Sequence, residues 1–300
     1  MKKVLPLLFA SMLVMPAVAT ADTLKKIADS KKIVLGVRDS SAPLSYSLGP
    51  GKYIGYHVEI CDRIIRAVKQ RLQVPNLTVE YVTVTSQNRI PLVQNGTVDL
   101  ECGTTTNNTA RQNDVAFALT TYVTEIRMAT RVDSGIQSVS QLSGKTVAST
   151  TGSTGVQALR KHRRAANLEL KEVFGKDHGE SFLLLETGRA DAMVIDDNIL
   201  AGQISLSRTP GAFHIVGETL AVEPIAIMLR KDDPAFKKLA DDTIRGLMNS
   251  GELAKLYDKW FLQPVPPRNN KVGLAMSDSL KKLIAAPNDQ PAEAYQSTAK

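Results

Sequence analysis

Ser86-Gln87-Asn88-Arg89-Ile90-Pro91-Leu92-Val93-Gln94-Asn95-Gly96-Thr97-Val98-Asp99-Leu100-Glu101-Cys102-Gly103-Thr104-Thr105-Thr106-Asn107-Asn108-Thr109-Ala110-Arg111 reads as a loop, a short helix, a buried strand and a hydroxyl-rich loop. Val98, Leu100 and Cys102 alternate with Asp99 and Glu101, the period of two that a strand imposes. Ser86 and Arg89 open the stretch, and Thr104, Thr106 and Arg111 close it. A guanidinium offers a planar fork of N–H donors that matches a carboxylate, and hydroxyls add further donors. Two such groups flanking one strand describe a place that holds carboxylates.

Working upstream, residues 79–84 form a strand that delivers the chain to Ser86, and residues 55–72 an amphipathic helix. Residues 32–38 form another strand, ending in Arg38, with a short helix over 24–31 before it. Strand, helix, strand, helix, strand at this spacing predicts an α/β unit with a mainly parallel sheet flanked by helices. Ligands of such sheets gather beyond the carboxyl ends of the strands. Arg38, Ser86 and Thr104 each follow a strand, so all three are expected at one edge.

A second unit begins near Asp133 and repeats the plan. Residues 138–144 make a polar helical turn and 146–150 a strand. Thr151-Gly152-Ser153-Thr154-Gly155 then opens a helix to about residue 163, a start whose backbone N–H groups suit an anion. Residues 171–173 are strand-like, a helix runs to 187, and a strand over 190–195 ends at Asp196-Asp197. The apolar stretch 221–229, broken by Glu223 and Pro224, leads to helices over 235–248 and 252–261. A proline-rich turn and a charged, loosely held tail follow. Segments 127–133 and 228–232 are the expected crossings. Two lobes result: residues 22–130 plus 230–300 form the larger, discontinuous one, and 131–229 the smaller.

Residues 1–21 are expected to be an export signal. Lys2 and Lys3 precede an apolar core, and Ala19-Thr20-Ala21 has the small-x-small cleavage pattern, so cleavage is expected after Ala21. The apolar run is too short for a lasting anchor, and the remainder is expected to be soluble in a periplasm-like space. The 300-residue chain carries 37 Lys and Arg against 30 Asp and Glu, a formal +7. Aromatic residues are only 5% of the chain and make no basic-aromatic stripe, which sets nucleic acid aside as a partner. The four histidines (His57, His162, His178, His214) are scattered and make no metal site with two cysteines. Cys61 and Cys102 both lie on apolar faces. Two buried thiols and a disulfide are both open readings, and an oxidising compartment favours the second.

The long irregular blocks Ser86 to Arg111, Lys176-Asp177-His178-Gly179-Glu180-Ser181-Phe182, Arg230-Lys231-Asp232-Asp233-Pro234 and Tyr257-Asp258-Lys259-Trp260-Phe261 give the sequence a family likeness. It resembles the periplasmic substrate-binding proteins of polar amino-acid ABC transporters, and among them the glutamate/aspartate-binding members, over roughly residues 24–290. The resemblance implies a two-lobed periplasmic-binding-protein fold (type II) with two hinge strands. It implies a monomer without a cofactor or catalytic residues, which closes over L-glutamate or L-aspartate and delivers it to an inner-membrane ABC permease. Thr106 and Arg111, with Thr154 from the other lobe, resemble the clamp on the ligand α-carboxylate. Asp196, helped by Thr104, resembles the receiver of the α-ammonium. Arg38, Ser86, Arg89 and His178 resemble the residues around the side-chain carboxylate. Two departures stand out. Thr104 occupies a position that is usually serine in those members. The cysteine they often carry before the second hinge is replaced by Ile225-Ala226-Ile227, so that a disulfide would have to use Cys61.

The implied site sets Arg38, Arg89 and Arg111 against one carboxylate, Asp196. Like charges in contact repel by about 4 kcal/mol at an effective dielectric of about 20, which disfavours lysine or arginine as ligand. Glutamine would leave buried guanidiniums poorly paired. Aspartate and glutamate differ by one methylene, worth about 1–3 kcal/mol. With His178 as imidazolium, affinity would weaken above about pH 7. Two other readings share the fold: a cyclohexadienyl dehydratase-like enzyme, which would need a spare acid or base, and a ligand sensor.

Overall fold

The computed structural model describes residues 21–296. The expected export signal lies outside the described residues, except for Ala21. In the first lobe, helix α1 (Thr23–Ser30) precedes strand β1 (Lys32–Val37). A small antiparallel sheet of β2 (Ser40–Ser41), β3 (Ser45–Ser47) and β4 (Tyr53–Ile54) follows. Then come α2 (Tyr56–Leu72), β5 (Thr78–Thr83), α3 (Arg89–Gln94), β6 (Leu100–Glu101), α4 (Thr109–Gln112) and β7 (Val115–Phe117).

The second lobe takes β8 (Tyr122–Arg131), β9 (Thr146–Thr150), α5 (Thr154–Ala165), β10 (Lys171–Gly175), α6 (His178–Glu186), β11 (Ala192–Asp196), α7 (Asp197–Leu206) and β12 (Phe213–Ile225). The chain returns through β13 (Met228–Arg230), α8 (Pro234–Asn249) and α9 (Glu252–Tyr257). It ends with a hairpin of β14 (Pro264–Val265) and β15 (Asn270–Lys271), then α10 (Asp278–Ala285) and α11 (Ala292–Gln296).

Each lobe holds a five-stranded sheet, in the orders β5-β1-β6-β13-β7 and β10-β9-β11-β8-β12. The strand–helix–strand units give the parallel pairs β1–β5, β1–β6, β9–β10 and β9–β11. The strands that cross between lobes join antiparallel, so both sheets are mixed rather than mainly parallel. Strand β8 pairs with β12 from Tyr122 to Arg131 and with β11 over residues 126–130. The crossings therefore fall at residues 118–121 and 226–227, ahead of the expected 127–133 and 228–232. Residues 213–220, which the sequence left unassigned, are half of the long strand β12, with a bulge between Val216 and Ala221.

The first crossing is anchored by aromatic stacking. Tyr122, at the start of β8, stacks on Phe261 with centroids 5.2 Å apart, and Tyr257 stacks on Phe261 at 4.2 Å. Pairs of this kind add about 0.5–1.5 kcal/mol each beyond the area they bury. The block Tyr257 to Phe261 is thus the wedge beneath the hinge. Cys61 and Cys102 form a disulfide, with Cα atoms 6.3 Å apart, which ties α2 to the end of β6. The tail is not loose among the described residues. Leu280 and Leu283 of α10 are buried in the first lobe's core, and the chain beyond packs against residues 107–109.

Candidate functional site

The parallel strands β1, β5 and β6 end side by side, and the residues that follow them converge as expected. Arg38 Nη1 donates to Thr104 Oγ1 at 3.2 Å and its Nη2 to Ser86 Oγ at 3.0 Å. Arg38 is 1% exposed, which only a group with committed donors or a waiting anion tolerates. Arg89, at the first position of α3, donates from Nη1 to the Thr104 carbonyl at 3.2 Å, while its buried Nε meets no partner among the described residues. His57 braces this edge from behind. Its Nδ1 lies 2.5 Å from the Gly103 carbonyl and its Nε2 takes the Thr121 hydroxyl at 2.8 Å; burial pushes its pKa down to about 4, so it is a neutral support.

The second lobe closes against the same edge. Asp177 caps α6 by accepting from the Glu180 N–H, and Glu180 reaches back to the Lys176 N–H, so the Lys-Asp-His-Gly block is a helix start. That start places His178 Nε2 3.4 Å from Arg38 Nη2 and Nδ1 2.8 Å from Thr150 Oγ1. A guanidinium only donates, so Nε2 accepts and Nδ1–H donates to Thr150. Burial, then the charges of Arg38 and Arg89, push the imidazole well below its usual range, and it stands neutral. Gly152, at φ +79°, lets the turn before α5 pass the Ser86–Gln87 backbone, where a Cβ would meet main-chain atoms at 3.0 Å. Gly202 in α7 passes Ala42 still more closely, and a Cβ there would lie 2.0 Å from the Ala42 carbonyl oxygen.

A second cluster sits beside the first. Arg111 donates from Nη1 to the Thr106 carbonyl at 2.9 Å. The Thr106 and Thr154 hydroxyls, one from each lobe, are 3.3 Å apart. Both donate to Glu223 Oε2, each at 2.7 Å. Asp196, at the end of β11, is buried, and its strongest charged neighbours are Glu223, Asp197, Arg89 and Arg111. Asp197 turns to the crossing strand, where the Thr124 hydroxyl donates to it at 2.7 Å.

The nine residues expected from the sequence lie in two neighbouring clusters, coupled through the charges of Arg89, Arg111 and Asp196. Two carboxylates were not expected there. Glu101 is fully buried, accepts from the Thr105 hydroxyl at 2.6 Å, and acts on all three arginines. Glu223 is the other. Its signal was present in the sequence: a lone acid inside an otherwise apolar stretch either breaks the strand or is buried with partners.

Three guanidiniums thus face three carboxylates. Burial, then Arg89, push Arg38 down to about 10 and Arg111 to about 9, so both stay charged at neutral pH. Burial, then Glu223 and Asp197, push Asp196 up to about 8. At neutral pH Asp196 therefore holds its proton in the unliganded protein.

Two α/β lobes, hinged by paired strands around a cleft lined with buried guanidiniums, define a two-lobed (type II) solute-binding protein. Residues 33–263 match the model of the bacterial extracellular solute-binding proteins, family 3, and the chain belongs to that family. It is 44% identical over 274 residues to the glutamate/aspartate import solute-binding protein of Escherichia coli (strain K12), covering 91% of each chain. It is 44% identical over 288 residues to the L-glutamate/L-aspartate-binding protein of Pseudomonas aeruginosa, covering 95% of each. Among solved structures it resembles an ancestral amino-acid-binding protein described as a precursor of cyclohexadienyl dehydratase. There the TM-score is 0.69 at 25% identity, over 80% of this chain and 99% of that one.

Proposed function

We propose that this protein captures L-glutamate or L-aspartate by closing its lobes and delivers it to an inner-membrane ABC permease. The observation that carries the reading is the guanidinium pair Arg38 and Arg89, in a cluster separate from Arg111. Arg111 alone suffices for the α-carboxylate of any amino acid. Arg38 and Arg89, both buried, with an Arg89 Nε that meets no partner among the described residues, call for another carboxylate. In this reading Thr106, Arg111 and Thr154 hold the α-carboxylate, and Asp196 and Thr104 receive the ammonium. Arg38, Ser86, Arg89 and His178 surround the side-chain carboxylate. The relatives at 44% identity, named for glutamate and aspartate, support the same ligand pair.

The mechanism is binding and release without bond-making. The larger lobe carries the three arginines and engages the ligand first. The smaller lobe then brings Thr154, His178 and Asp196, and contacts to both lobes favour the closed state. We place the protein in the periplasm as a monomer, its signal removed after Ala21.

A thermal-shift screen of the twenty amino acids tests the reading, because a ligand that binds only the folded state raises the melting temperature by mass action. L-Glutamate and L-aspartate are expected to give the largest shifts. A larger shift with glutamine, or none with either acid, overturns it. Turnover of prephenate or arogenate would favour the enzyme instead.

A further inference from the structure

Glu223 lies on β12, two residues before that strand ends at the crossing, and it is 5% exposed. Its Oε2 accepts one hydroxyl from the loop after β6 in the larger lobe (Thr106) and one from the first residue of α5 in the smaller lobe (Thr154). Each hydroxyl has a single proton, and at 2.7 Å both protons are committed to Glu223. Neither hydroxyl can then donate to anything else in the cleft. Beside them the Asn107 N–H bonds to the Pro224 carbonyl and Thr106 bridges to Ile225, so the backbone around Glu223 is tied to the clamp loop as well.

We propose that Glu223 is a positioning residue that latches the two lobes through Thr106 and Thr154. Resting on the α-carboxylate assignment above, the latch leaves the ligand α-carboxylate to the Arg111 guanidinium and the first-turn N–H groups of α5. The two threonine hydroxyls serve closure, and Thr106 and Thr154 meet the ligand α-carboxylate through their backbone N–H groups. Glu223 thereby sets how often the unliganded lobes are closed, and affinity follows, because a binding-competent state that is less populated weakens apparent binding in proportion.

Spin labels, one on each lobe, read the interlobe distance distribution without any amino acid, and calorimetry reads the Kd for L-glutamate. E223A is expected to move the unliganded distribution to longer distances and to weaken L-glutamate about tenfold. E223Q keeps an acceptor oxygen for both hydroxyls and is expected to restore the wild-type distribution, with a Kd within about threefold of wild type. T154V removes one donor while Glu223 stays, and is expected to lengthen the distances as E223A does. T154V added to E223A should cost nothing further, since residues acting as one unit are not additive. An unchanged distribution in T154V overturns the latch, even if E223A fails to fold. Tighter L-glutamate binding by E223A also overturns it, because Glu223 would then be competing with the ligand carboxylate. The distance arm uses no ligand, so a wrong ligand assignment fails in the thermal-shift screen and leaves the latch separately tested.

Discussion

At the scale of single residues, the cleft is governed by which carboxylates hold protons. Asp196 has a folded-state pKa of about 8 against an ordinary 3.8. Between those values the folded, unliganded protein binds a proton that the unfolded chain lacks. Its contribution to stability is therefore full below about pH 4 and is lost as the pH climbs through 8. A ligand ammonium needs the ionised form, so binding below pH 8 expels that proton. Affinity for L-glutamate should accordingly rise by up to about tenfold per unit between pH 6 and 8. Calorimetry in two buffers of different ionisation enthalpy should report proton release near pH 7. A flat profile would contradict this, and a falling one would indicate that His178 binds as imidazolium after all. The arginines give a plainer test. Arg89→Ala and Arg111→Ala should each weaken L-glutamate at least tenfold by titration calorimetry, since each leaves a ligand carboxylate short of a charged partner. Near-wild-type binding in both would refute the site.

At the scale of elements, the strand ends were legible, Asp196 among them, and the buried acids Glu101 and Glu223 were not. Arg38, Ser86 and Thr104 could be placed because each follows an apolar run whose direction a parallel sheet fixes. His178 and Thr154 could be placed because helix starts have recognisable caps. Glu101 escaped because alternation with Val98, Leu100 and Cys102 implies two faces without saying what covers the second. That face holds Arg38 and Arg89, and Asp99 beside it is equally buried, bonded to Lys26 and the Val34 N–H. The crossings were misplaced for a related reason: β8 and β12 depend on each other across about ninety residues, and no local period announces such a pair. The disulfide is an element-scale device, joining α2 to β6 two residues before Thr104. With the cysteines 41 positions apart in sequence, replacing both with serine should cost about 3–4 kcal/mol in denaturant unfolding. A loss under about 1 kcal/mol would mean that the cross-link restrains little of the unfolded chain.

At the scale of the molecule, closure depends on how near two backbones can come. Gln203 Nε2 donates to the Ser40 carbonyl at 2.6 Å, and the Gly179 N–H to Ser40 Oγ at 3.1 Å. Both bonds cross between lobes at the place where Gly202 passes Ala42. Gly202→Ala should hold the lobes apart, weaken L-glutamate at least tenfold and enlarge the radius of gyration measured by X-ray scattering with ligand present. Gly246→Ala is the control, because a Cβ there meets nothing within 4 Å. If G202A binds and compacts like the control, the close contact is not needed for closure.

The two ends of the chain sit very differently on this machine. The Ala292 N–H bonds to the Asn107 carbonyl, Asn107 Nδ2 to the Asp289 carbonyl, and the Thr109 N–H and hydroxyl to Glu293. Residues 289–293 therefore pack against the segment that leads to Arg111. At the other end the Thr23 N–H is held by Asp233, near the amino edge of β1 and away from the cleft. A fluorophore at Glu293 sits against that segment and is placed to report closure as a change in signal. A surface tether or affinity tag at the same point would load the moving part, whereas one at Asp22 leaves it free.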